Sequence, residues 1–561
     1  MQRQFEALTQ GFDVLVLGGG VHGVALARTL ALSGIQVALV EKGDFGGEAT
    51  HNSLKIVHGG LRYVQHMDSS RIKESVRAQR SWLTAAPHLV RPMECTIPTR
   101  GWGTRSPIAL AAGGAVYAML GGRSKHRTTP VSSMPNGRLR SLRDFRAAFP
   151  EIRPDRINGG YSWYDAQIRD SGRLITECAQ DADHAGATLV NHAEAVMLRC
   201  SGKRVTGALV RDNLTGMEQE VRARFTVGTL GAWGAGLAQR SGLPVAPAKD
   251  ITWTRNVNIV LKRRITSGGT IGVMSRHRGD GVIGGTSRLY FITPWQDTSI
   301  VGTLHDRHHG APEPLAVKDD EIASLLTDID ATVEPGEFAM NDIAYVHMGL
   351  TPSEEAGRQR AKRSVVIDYA RVQDIDGYIE IVANKYTTAP TVSAHVSRIV
   401  MDRLGYSSDR LADFSSPLPG ARLTEDPSES VGPDAGQEER ETAWVQAIYG
   451  LEGRRIVETA QAQPGDTTSR LFRARIIHGA REGMAVRLAD GIFRCSDLAE
   501  RGMLREGDLQ WCLEWMAHHF GWTEERRQEE LNIVLTRLRR HKSGGPGFHW
   551  SQQAIRCNSK E

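Results

Sequence analysis

The first forty residues show an apolar run, a glycine cluster, a stretch of helical periodicity and a second apolar run. Residues 13–17 (DVLVL) are apolar after the aspartate, which is typical of a strand buried on both faces of a parallel sheet. Apolar residues recur at helical spacing over residues 21–32, and the Ser-Gly pair at 33–34 ends that helix. Residues 36–40 (QVALV) predict a second strand, so the segment is predicted to be a strand–turn–helix–strand unit.

The rest of the chain mixes helical and strand periodicities, and their order predicts an interrupted α/β layer. Helical spacing occurs at residues 69–86, 141–149, 171–185 and 388–404. Short apolar or alternating runs typical of strands occur at residues 188–198, 204–211, 222–230, 256–261, 289–293, 299–303 and 378–382. The predicted fold class is therefore α/β, a Rossmann-like nucleotide-binding layer with an antiparallel β-rich insertion, followed by a small all-α C-terminal domain.

Composition divides the 561 residues into four predicted segments. Residues 11–410 are predicted to form one domain in which nucleotide-binding and substrate-binding segments interleave. Residues 411–440 are rich in Pro, Gly, Ser and acidic side chains, which predicts a linker. Residues 441–541 carry helical patterns and few strand signals, so they are predicted to be a helical C-terminal domain. Residues 542–561 are predicted to be a flexible tail.

Charge and cysteine usage narrow the function classes. The 69 Lys and Arg residues against 64 Asp and Glu residues give a net charge of +5, a mixed balance that is compatible with an anionic small substrate or an anionic membrane surface. No basic block is interleaved with aromatic residues, so nucleic acid is not expected as a partner. The six cysteines show no metal or redox spacing, so we expect no metal site and reduced thiols in a cytoplasmic protein.

One segment bears on membrane contact. Residues 108–122 (IALAAGGAVYAMLGG) are uncharged and apolar, but they are too short and too rich in glycine to span a bilayer. A helix packed on the protein is the favoured interpretation, and a segment that dips into the membrane surface is the alternative. The first residues, MQRQFEALTQGFD, lack the apolar core of a signal peptide.

The glycine cluster carries the clearest chemistry. Gly18, Gly20 and Gly23 form the pattern G-x-G-x-x-G between a predicted strand and a predicted helix, which is the context that dinucleotide binding requires. Gly18 permits the tight turn, Gly20 lets the backbone approach a pyrophosphate, and Gly23 allows close helix–strand packing. Gly19, within the same turn, is also predicted to bind the cofactor. The helix N-terminus would then present N–H groups and the positive end of its dipole to the phosphates.

The end of the second strand strengthens that interpretation. Glu41 stands 21 residues after Gly20, where an acidic side chain accepts hydrogen bonds from a ribose. Lys42 follows it and is predicted to lie beside the same cofactor. The alternative, a glycine-rich turn without a ligand, is disfavoured by the Glu41 match.

The next segment resembles a known family. Residues 49–63 (ATHNSLKIVHGGLRY) resemble the corresponding stretch of the FAD-dependent glycerol-3-phosphate dehydrogenases, which belong to the D-amino-acid-oxidase-like flavoprotein superfamily. The resemblance covers nearly the whole chain outside the predicted linker and tails. It continues in residues 86–93, 163–174, 229–234, 294–306, 384–389, 478–498 and 519–531.

The resemblance implies that FAD is the cofactor and that a small molecule is the substrate. It places a set of mostly small or polar residues against the cofactor: Ser53, Lys55, His58, Gly59, Gly60, Gly231, Trp233, Lys385 and Thr387. Arg62 and Tyr63 match positions that line the substrate pocket, and Lys385 is a candidate for contact with the flavin or the substrate. A cation near the flavin would stabilise its reduced, anionic form.

The chain departs from the family pattern where a phosphate should bind. Thr351, in GLTPS, stands where the family has a phosphate-binding arginine. A second family arginine precedes an Asp-Tyr or Asp-His pair. One register puts Ile367 there, and another puts Arg363 there, which we prefer because it keeps a charge. Neither Thr nor Ile offers the bidentate guanidinium that suits a phosphomonoester.

The implied reaction is oxidation of a secondary alcohol, with glycerol 3-phosphate converted to dihydroxyacetone phosphate by hydride transfer to flavin N5. His58, Arg62 and Lys385 are the candidate catalytic residues, and His305 and His347 are further candidates for the base. The resemblance also implies a quinone acceptor, hence peripheral contact with the inner face of the membrane. An amine or amino-acid oxidase, and a catalytically idle flavoprotein, remain as alternatives. An oligomer also remains open.

Overall fold

The computed structural model describes the chain except residues 67, 104, 122–133, 154–156, 245–250, 279–286, 355–358, 362, 423–425, 433 and 542–561. The predicted flexible tail therefore lies outside the described residues.

The described residues form strands and α-helices that alternate in the first half of the chain. The strands are β1 (Phe12–Leu17), β2 (Val37–Val40), β3 (Ile56–Val57), β4 (Val90–Thr99), β5 (Arg138–Ser141), β6 (Gly159–Ile168), β7 (Thr188–Val190), β8 (Ala193–Ser201), β9 (Arg204–Asp212), β10 (Glu218–Gly228), β11 (Thr252–Leu261), β12 (Thr270–Arg278), β13 (Ser287–Trp295), β14 (Thr298–His308), β15 (Ile343–Glu354), β16 (Gln359–Arg360), β17 (Val365–Asp368) and β18 (Tyr378–Val382). The helices are α1 (Val21–Leu32), α2 (Ser69–Ala85), α3 (Pro107–Gly121), α4 (Leu142–Ala148), α5 (Ser171–His184), α6 (Gly234–Arg240), α7 (Asp319–Asp330), α8 (Tyr369–Val372), α9 (Ala389–Leu404), α10 (Gln437–Tyr449), α11 (Gly453–Gln461), α12 (Thr467–Glu482), α13 (Leu488–Phe493), α14 (Glu506–Phe520) and α15 (Glu524–Arg540).

The first sheet contains the predicted strand–turn–helix–strand unit. Its order is β17-β18-β10-β1-β2-β7, all parallel except β17, and β8 and β9 extend from β10 as an antiparallel pair. Val14 and Val16 face a core shared with α1, whereas Leu15 and Leu17 face a core under β8 and β9. Because β1 is covered on both faces, its apolar run is continuous. The predicted α/β fold class is confirmed.

The second sheet is the predicted β-rich insertion. Its order is β16-β15-β11-β14-β13-β12-β4-β6-β3, with β5 beside β6, and its pairs are antiparallel except β12 with β4. One face is covered by α4 and α7, through residues such as Ile259 and Ile329. Residues of β11, β14 and β15, among them Asn256, His305 and Thr351, line the cavity described below together with the glycine turn of the first sheet.

The C-terminal helices cover the other face of the second sheet. Val260, Ile300 and Tyr345 pack there with Phe472, Leu498 and further residues of α12 to α15 in one apolar core. Apolar burial of this kind is what fixes the orientation of helices on a sheet. Residues 441–541 are therefore helical, with α12 to α15 packed on the insertion, whereas α10 and α11 pack in the core of the first sheet, through residues such as Ile448 and Ile456.

The described part of residues 411–440, the predicted linker, is packed against the rest of the protein. The guanidinium of Arg28 donates to the carbonyl oxygens of Phe414 (2.8 Å) and Ser416 (2.7 Å). Asp426 forms an ion pair with Arg169 at 2.7 Å. The segment therefore has fixed contacts although its composition is that of a loop, because backbone carbonyls and a carboxylate bind buried arginines.

The apolar run at residues 108–122 lies mainly in α3, which packs against Tyr161 and Val64. Among the described residues, no helix has the length and apolar character needed to cross a membrane.

Candidate active site

The glycine turn lies where β1 passes into α1. Gly18 has φ +103°, a conformation that side chains rarely adopt. A Cβ on Gly23 would stand 1.9 Å from the carbonyl oxygen of Gly18, whereas a Cβ on Gly20 would meet only the Thr50 hydroxyl, at 3.4 Å. Gly18 and Gly20 line the main cavity, and Gly23 packs behind them. The roles predicted for these three glycines agree with this geometry.

Glu41 closes β2 beside that turn and lines the same cavity. Its carboxylate accepts the N–H of Gly19 at 2.6 Å and the N–H of Gly43 at 2.8 Å. Burial raises the pKa of Glu41, and the two backbone donors oppose that rise. Each carboxylate oxygen keeps a lone pair for a ribose hydroxyl. Gly19 itself serves Glu41 and does not line the cavity.

Lys42 and Trp233 contact each other at the end of the cavity that lies beside Glu41 and the glycine turn. The Lys42 ammonium lies 3.9 Å from the centre of the Trp233 ring and pairs with Glu313 at 2.7 Å. Both Lys42 and Trp233 line the cavity, as does Gly231. The structure therefore brings these three predicted residues together with the glycine turn.

A single cavity of about 1360 Å³ joins the glycine turn to the second sheet. Its volume exceeds the roughly 300–1,000 Å³ typical of one small-molecule pocket, so it can hold a dinucleotide and a small substrate together. The residue 49–63 segment crosses it, and Ser53, His58, Gly60 and Tyr63 line it.

Two predicted residues of that segment do not line the cavity. The N–H of Gly59 donates to Asp165 at 2.6 Å, and a Cβ on Gly59 would stand 1.8 Å from the Tyr117 hydroxyl of α3. The Lys55 ammonium is 1% exposed and lies 3.1 Å from the Glu500 carboxylate and 3.0 Å from the Ser171 hydroxyl. The placement of Lys55 against the cofactor is corrected, because its charge is neutralised behind the loop.

Lys385 reaches the cavity from the loop between β18 and α9. Its ammonium donates to the Ser75 hydroxyl at 2.8 Å and lies 5.0 Å from the Tyr63 ring centre. Burial lowers the pKa of Lys385. The carbonyl of Lys385 lies 3.1 Å from Nε2 of His22 in α1, which ties this loop to the glycine turn. Thr387 stands behind the cavity lining, where its hydroxyl accepts the N–H of His58 at 3.1 Å.

The three positions considered for phosphate binding fall in different places. Thr351 lines the cavity, and its hydroxyl accepts from the Asn256 amide at 2.7 Å. The side chain of Arg363 is 53% exposed and lies 3.4 Å from Asp68, a cavity-lining residue. Ile367 is buried in β17 opposite Glu380 and does not line the cavity. The register with Arg363 is therefore the better one for a site. The side chain of Arg62 lies outside the described residues.

The structure places the candidate histidines in different environments. His58 and His305 line the cavity, whereas His347 is buried with its Nε2 2.8 Å from Glu500. Burial lowers the pKa of His347, and the Glu500 carboxylate opposes that effect. His347 is therefore removed from contact with a ligand in the cavity, and His58 and His305 remain.

Several site residues were missed by the reasoning from sequence. Asp165 accepts from Gly59, from Gln79 at 3.2 Å and from the Trp163 indole at 3.0 Å, and it fixes the loop beside the cavity. It lies within residues 163–174, so the resemblance could have indicated it. Glu500 could not have been found, because no local pattern links a C-terminal glutamate to a loop 445 residues away.

Comparison with known proteins places this geometry in a family. A family model described as FAD dependent oxidoreductase (DAO) matches residues 13–379. The chain belongs to that family. It is therefore an FAD-dependent oxidoreductase, and its cofactor is FAD. The glycine turn, the Glu41 carboxylate and the size of the cavity fit this dinucleotide.

Individual relatives of this FAD-dependent oxidoreductase carry related names. The glycerol-3-phosphate dehydrogenase of Synechocystis sp. is 26% identical over 559 residues, covering 94% of this chain and 96% of the relative. That of Mycobacterium leprae is 30% identical over 69% of this chain and 62% of its own length. The solved structure of the Bacillus halodurans glycerol-3-phosphate dehydrogenase complexed with FAD has a TM-score of 0.74 at 18% identity and covers 96% of this chain and 97% of its own. The last likeness concerns the fold alone.

Proposed function

We propose that this enzyme oxidises the secondary alcohol of glycerol 3-phosphate to dihydroxyacetone phosphate and passes the electrons to a quinone. The observation that carries the proposal is the continuous cavity, which runs from the glycine turn to a second wall containing Lys385, Tyr63 and His305. The resemblance of the Synechocystis relative over nearly the full length of both chains supports the substrate.

FAD supplies the chemistry of hydride acceptance at its N5 atom. The chain's own residues must bind the substrate, take its hydroxyl proton and exclude water. His58 and His305 are the candidates for proton acceptance, because both line the cavity. Asp165 positions the backbone beside His58 through its hydrogen bond to Gly59. Lys385 would hold the oxygen of the reacting carbon or the reduced cofactor by its positive charge.

Anaerobic mixing with glycerol 3-phosphate tests the substrate. The flavin absorbance at roughly 450 nm, a property of the cofactor's own chemistry, should disappear, and dihydroxyacetone phosphate should form in a 1:1 ratio to enzyme in the absence of an acceptor. Bleaching by amines or amino acids alone would identify an oxidase of that class. No bleaching by any of these donors would indicate a flavoprotein without this activity.

The two candidate bases are distinguished by pH. His58→Asn and His305→Asn should each be made and compared in single-turnover reduction across pH. The variant that lacks the base should lose the acid limb of the rate profile, because an imidazole accepts a proton only above its pKa. If both variants keep the wild-type profile, neither histidine is the base.

The surface of helix α3 is consistent with the proposed transfer of electrons to a membrane quinone. It carries no charged residue, and Ile108 and Met119 are each 74% exposed on one side. The opposite side of α3 packs on residues 49–63, the cofactor loop, where Tyr117 lies against Gly59. An apolar helix with one open face can lie at the level of lipid headgroups, close to the cavity from which electrons must leave.

Vesicle binding tests this membrane contact. Sedimentation with vesicles of anionic phospholipid should bring down the wild-type protein, and an Ile108→Glu and Met119→Glu double variant should stay in the supernatant. Met217→Glu, a change at another exposed apolar residue, is the matched control and should sediment like the wild type. Equal sedimentation of all three proteins would remove α3 from the membrane contact.

A further inference from the structure

Two cations converge on the ring of Tyr63 at the cavity wall. The Arg71 guanidinium carbon lies 3.9 Å from the ring centre, and the Lys385 ammonium lies 5.0 Å from it. Arg71, Lys385 and Tyr63 all line the cavity. Arg71 belongs to the first turn of α2, and neither its position nor its charge was singled out by the sequence.

Among the residues that the structure describes, the Arg71 guanidinium has few partners. The residue is 8% exposed, and its Nε makes no hydrogen bond with any described residue. Its ion pair with Asp68 is long, 3.8 Å from Nε to the carboxylate. Asp68 Oδ1 accepts instead from the Arg71 backbone N–H at 3.0 Å and lies 3.4 Å from Arg363. A buried guanidinium with unsatisfied donors costs free energy unless a ligand satisfies them.

The charges around Tyr63 favour an anion. Arg71, Lys385 and Arg363 carry positive charge there, against the carboxylates of Asp68 and Glu74. Burial lowers the pKa of Lys385 and Arg71 adds to that effect, whereas Tyr63 and Glu74 oppose it. An anion between the two cavity-lining cations would relieve their repulsion.

This end of the cavity is continuous with position 351. Thr351 is followed by Pro352, whose carbonyl accepts the N–H of Ala361 at 3.0 Å. The carbonyl of Ala361 accepts from the Asn384 amide at 2.9 Å, and Asn384 directly precedes Lys385. Two hydrogen bonds thus connect Thr351 to the Lys385 loop. The Thr351 hydroxyl is neutral, so it cannot supply the charge that a phosphate needs.

We propose that Arg71 is the specificity-determining residue that binds the anionic group of the substrate, a phosphomonoester, from α2 in place of an arginine at position 351. The inference rests on the proposed function and names the residue that binds the phosphate in that site. Arg71 offers two parallel N–H donors to phosphate oxygens, and Lys385 adds a second positive charge across the Tyr63 ring.

Steady-state kinetics with glycerol 3-phosphate test the assignment. Arg71→Gln should raise KM roughly 10- to 100-fold with kcat changed little, since a charge-assisted hydrogen bond is lost in both ground and transition states. The KM of Arg71→Lys should lie between those of the wild type and Arg71→Gln, because lysine keeps the positive charge but loses the two parallel N–H donors of the guanidinium. Adding Thr351→Arg to Arg71→Gln should lower KM again. Arg77→Gln, an exposed change on the same helix, is the matched control.

Phosphate binding gives a readout that does not depend on turnover. Inorganic phosphate should perturb the flavin spectrum of the wild-type holoenzyme, and its Kd should rise at least tenfold in Arg71→Gln but stay unchanged in Arg77→Gln. If glycerol 3-phosphate does not bleach the wild-type flavin while phosphate binding still depends on Arg71, the proposed function fails and the inference stands. If phosphate does not bind, or binds Arg71→Gln as it binds the wild type, the inference is overturned.

Discussion

Replacing Glu500 with alanine should lower the free energy of unfolding of this protein, because the buried Lys55 ammonium would lose its carboxylate partner. Glu500 is 4% exposed and lies 3.1 Å from the Lys55 ammonium and 2.8 Å from Nε2 of His347. His51 Nε2 lies 3.0 Å from the same carboxylate. Burial raises the pKa of Glu500, but Lys55 and the histidines outweigh burial and hold the pKa well below its usual range.

The magnitude follows from what alanine would leave behind. Among the described residues, the Lys55 ammonium would keep the Ser171 hydroxyl, at 3.0 Å, and the face of the Trp295 ring, at 4.7 Å. Removing one partner of a buried ion pair costs about 3–5 kcal/mol, because the other charge stays buried without compensation. The stabilisation is fully present above roughly pH 4.3, the unfolded value for glutamate, and is lost as pH falls through the lower folded pKa.

Chemical denaturation of the holoprotein, followed by tryptophan fluorescence and by flavin release, measures the effect. Glu452→Ala is the matched control. It also removes a side-chain carboxylate of the C-terminal helical region from an ion pair, but its partner Arg173 remains paired with Glu177 at 2.9 Å. We expect that control to cost about 1 kcal/mol or less. A Lys55→Met and Glu500→Leu double variant should recover part of the loss, because it buries no unpaired charge. Equal losses for Glu500→Ala and Glu452→Ala would refute the reasoning.

Three further changes probe the cofactor end and its support. Gly23→Ala would place a methyl group 1.9 Å from the Gly18 carbonyl oxygen, so the purified protein should be colourless; a normal flavin spectrum would contradict the turn geometry. Glu41→Gln should weaken FAD binding roughly tenfold in a titration of apoprotein, since one charge-assisted acceptor is lost; unchanged affinity would exclude the ribose contact. Burial lowers the pKa of His192, but Asp490 outweighs it and raises the pKa, so their pair stabilises fully below about pH 6.5 and is lost as pH rises through the folded pKa. Asp490→Asn should flatten the dependence of melting temperature on pH above about pH 6.5, and an unaltered dependence would contradict the pairing.

The strand–turn–helix–strand unit could be predicted because its signals are local. The run at 13–17 and the glycine spacing correspond to β1 and to the start of α1. Helix α2 begins and ends within one residue of the predicted 69–86 stretch. The single strand predicted at residues 188–198 is instead two strands, β7 and β8. They are separated at Asn191 and His192, where the positive φ of His192 turns the chain.

Other elements could not be predicted, because tertiary contacts decide them. Strand β4 contains Pro92 and Pro98, which usually argue against a strand, yet all ten of its residues pair with β6. The composition of residues 411–440 indicated a loop but gave no sign of the arginines that bind it. The direction of Lys55, away from the cavity, depends on a carboxylate near the other end of the chain.

Lys55 leaves the ribosome 445 residues before Glu500. Domains fold as their chain emerges, the N-terminal part first. The Lys55 ammonium of the cofactor loop therefore has no ion-pair partner in Glu500 until synthesis is nearly complete. A product truncated at the end of α13 could contain every strand of the first sheet but would lack Glu500, the carboxylate that pairs with Lys55. We therefore expect stable flavin binding only in chains that have been synthesised beyond residue 500.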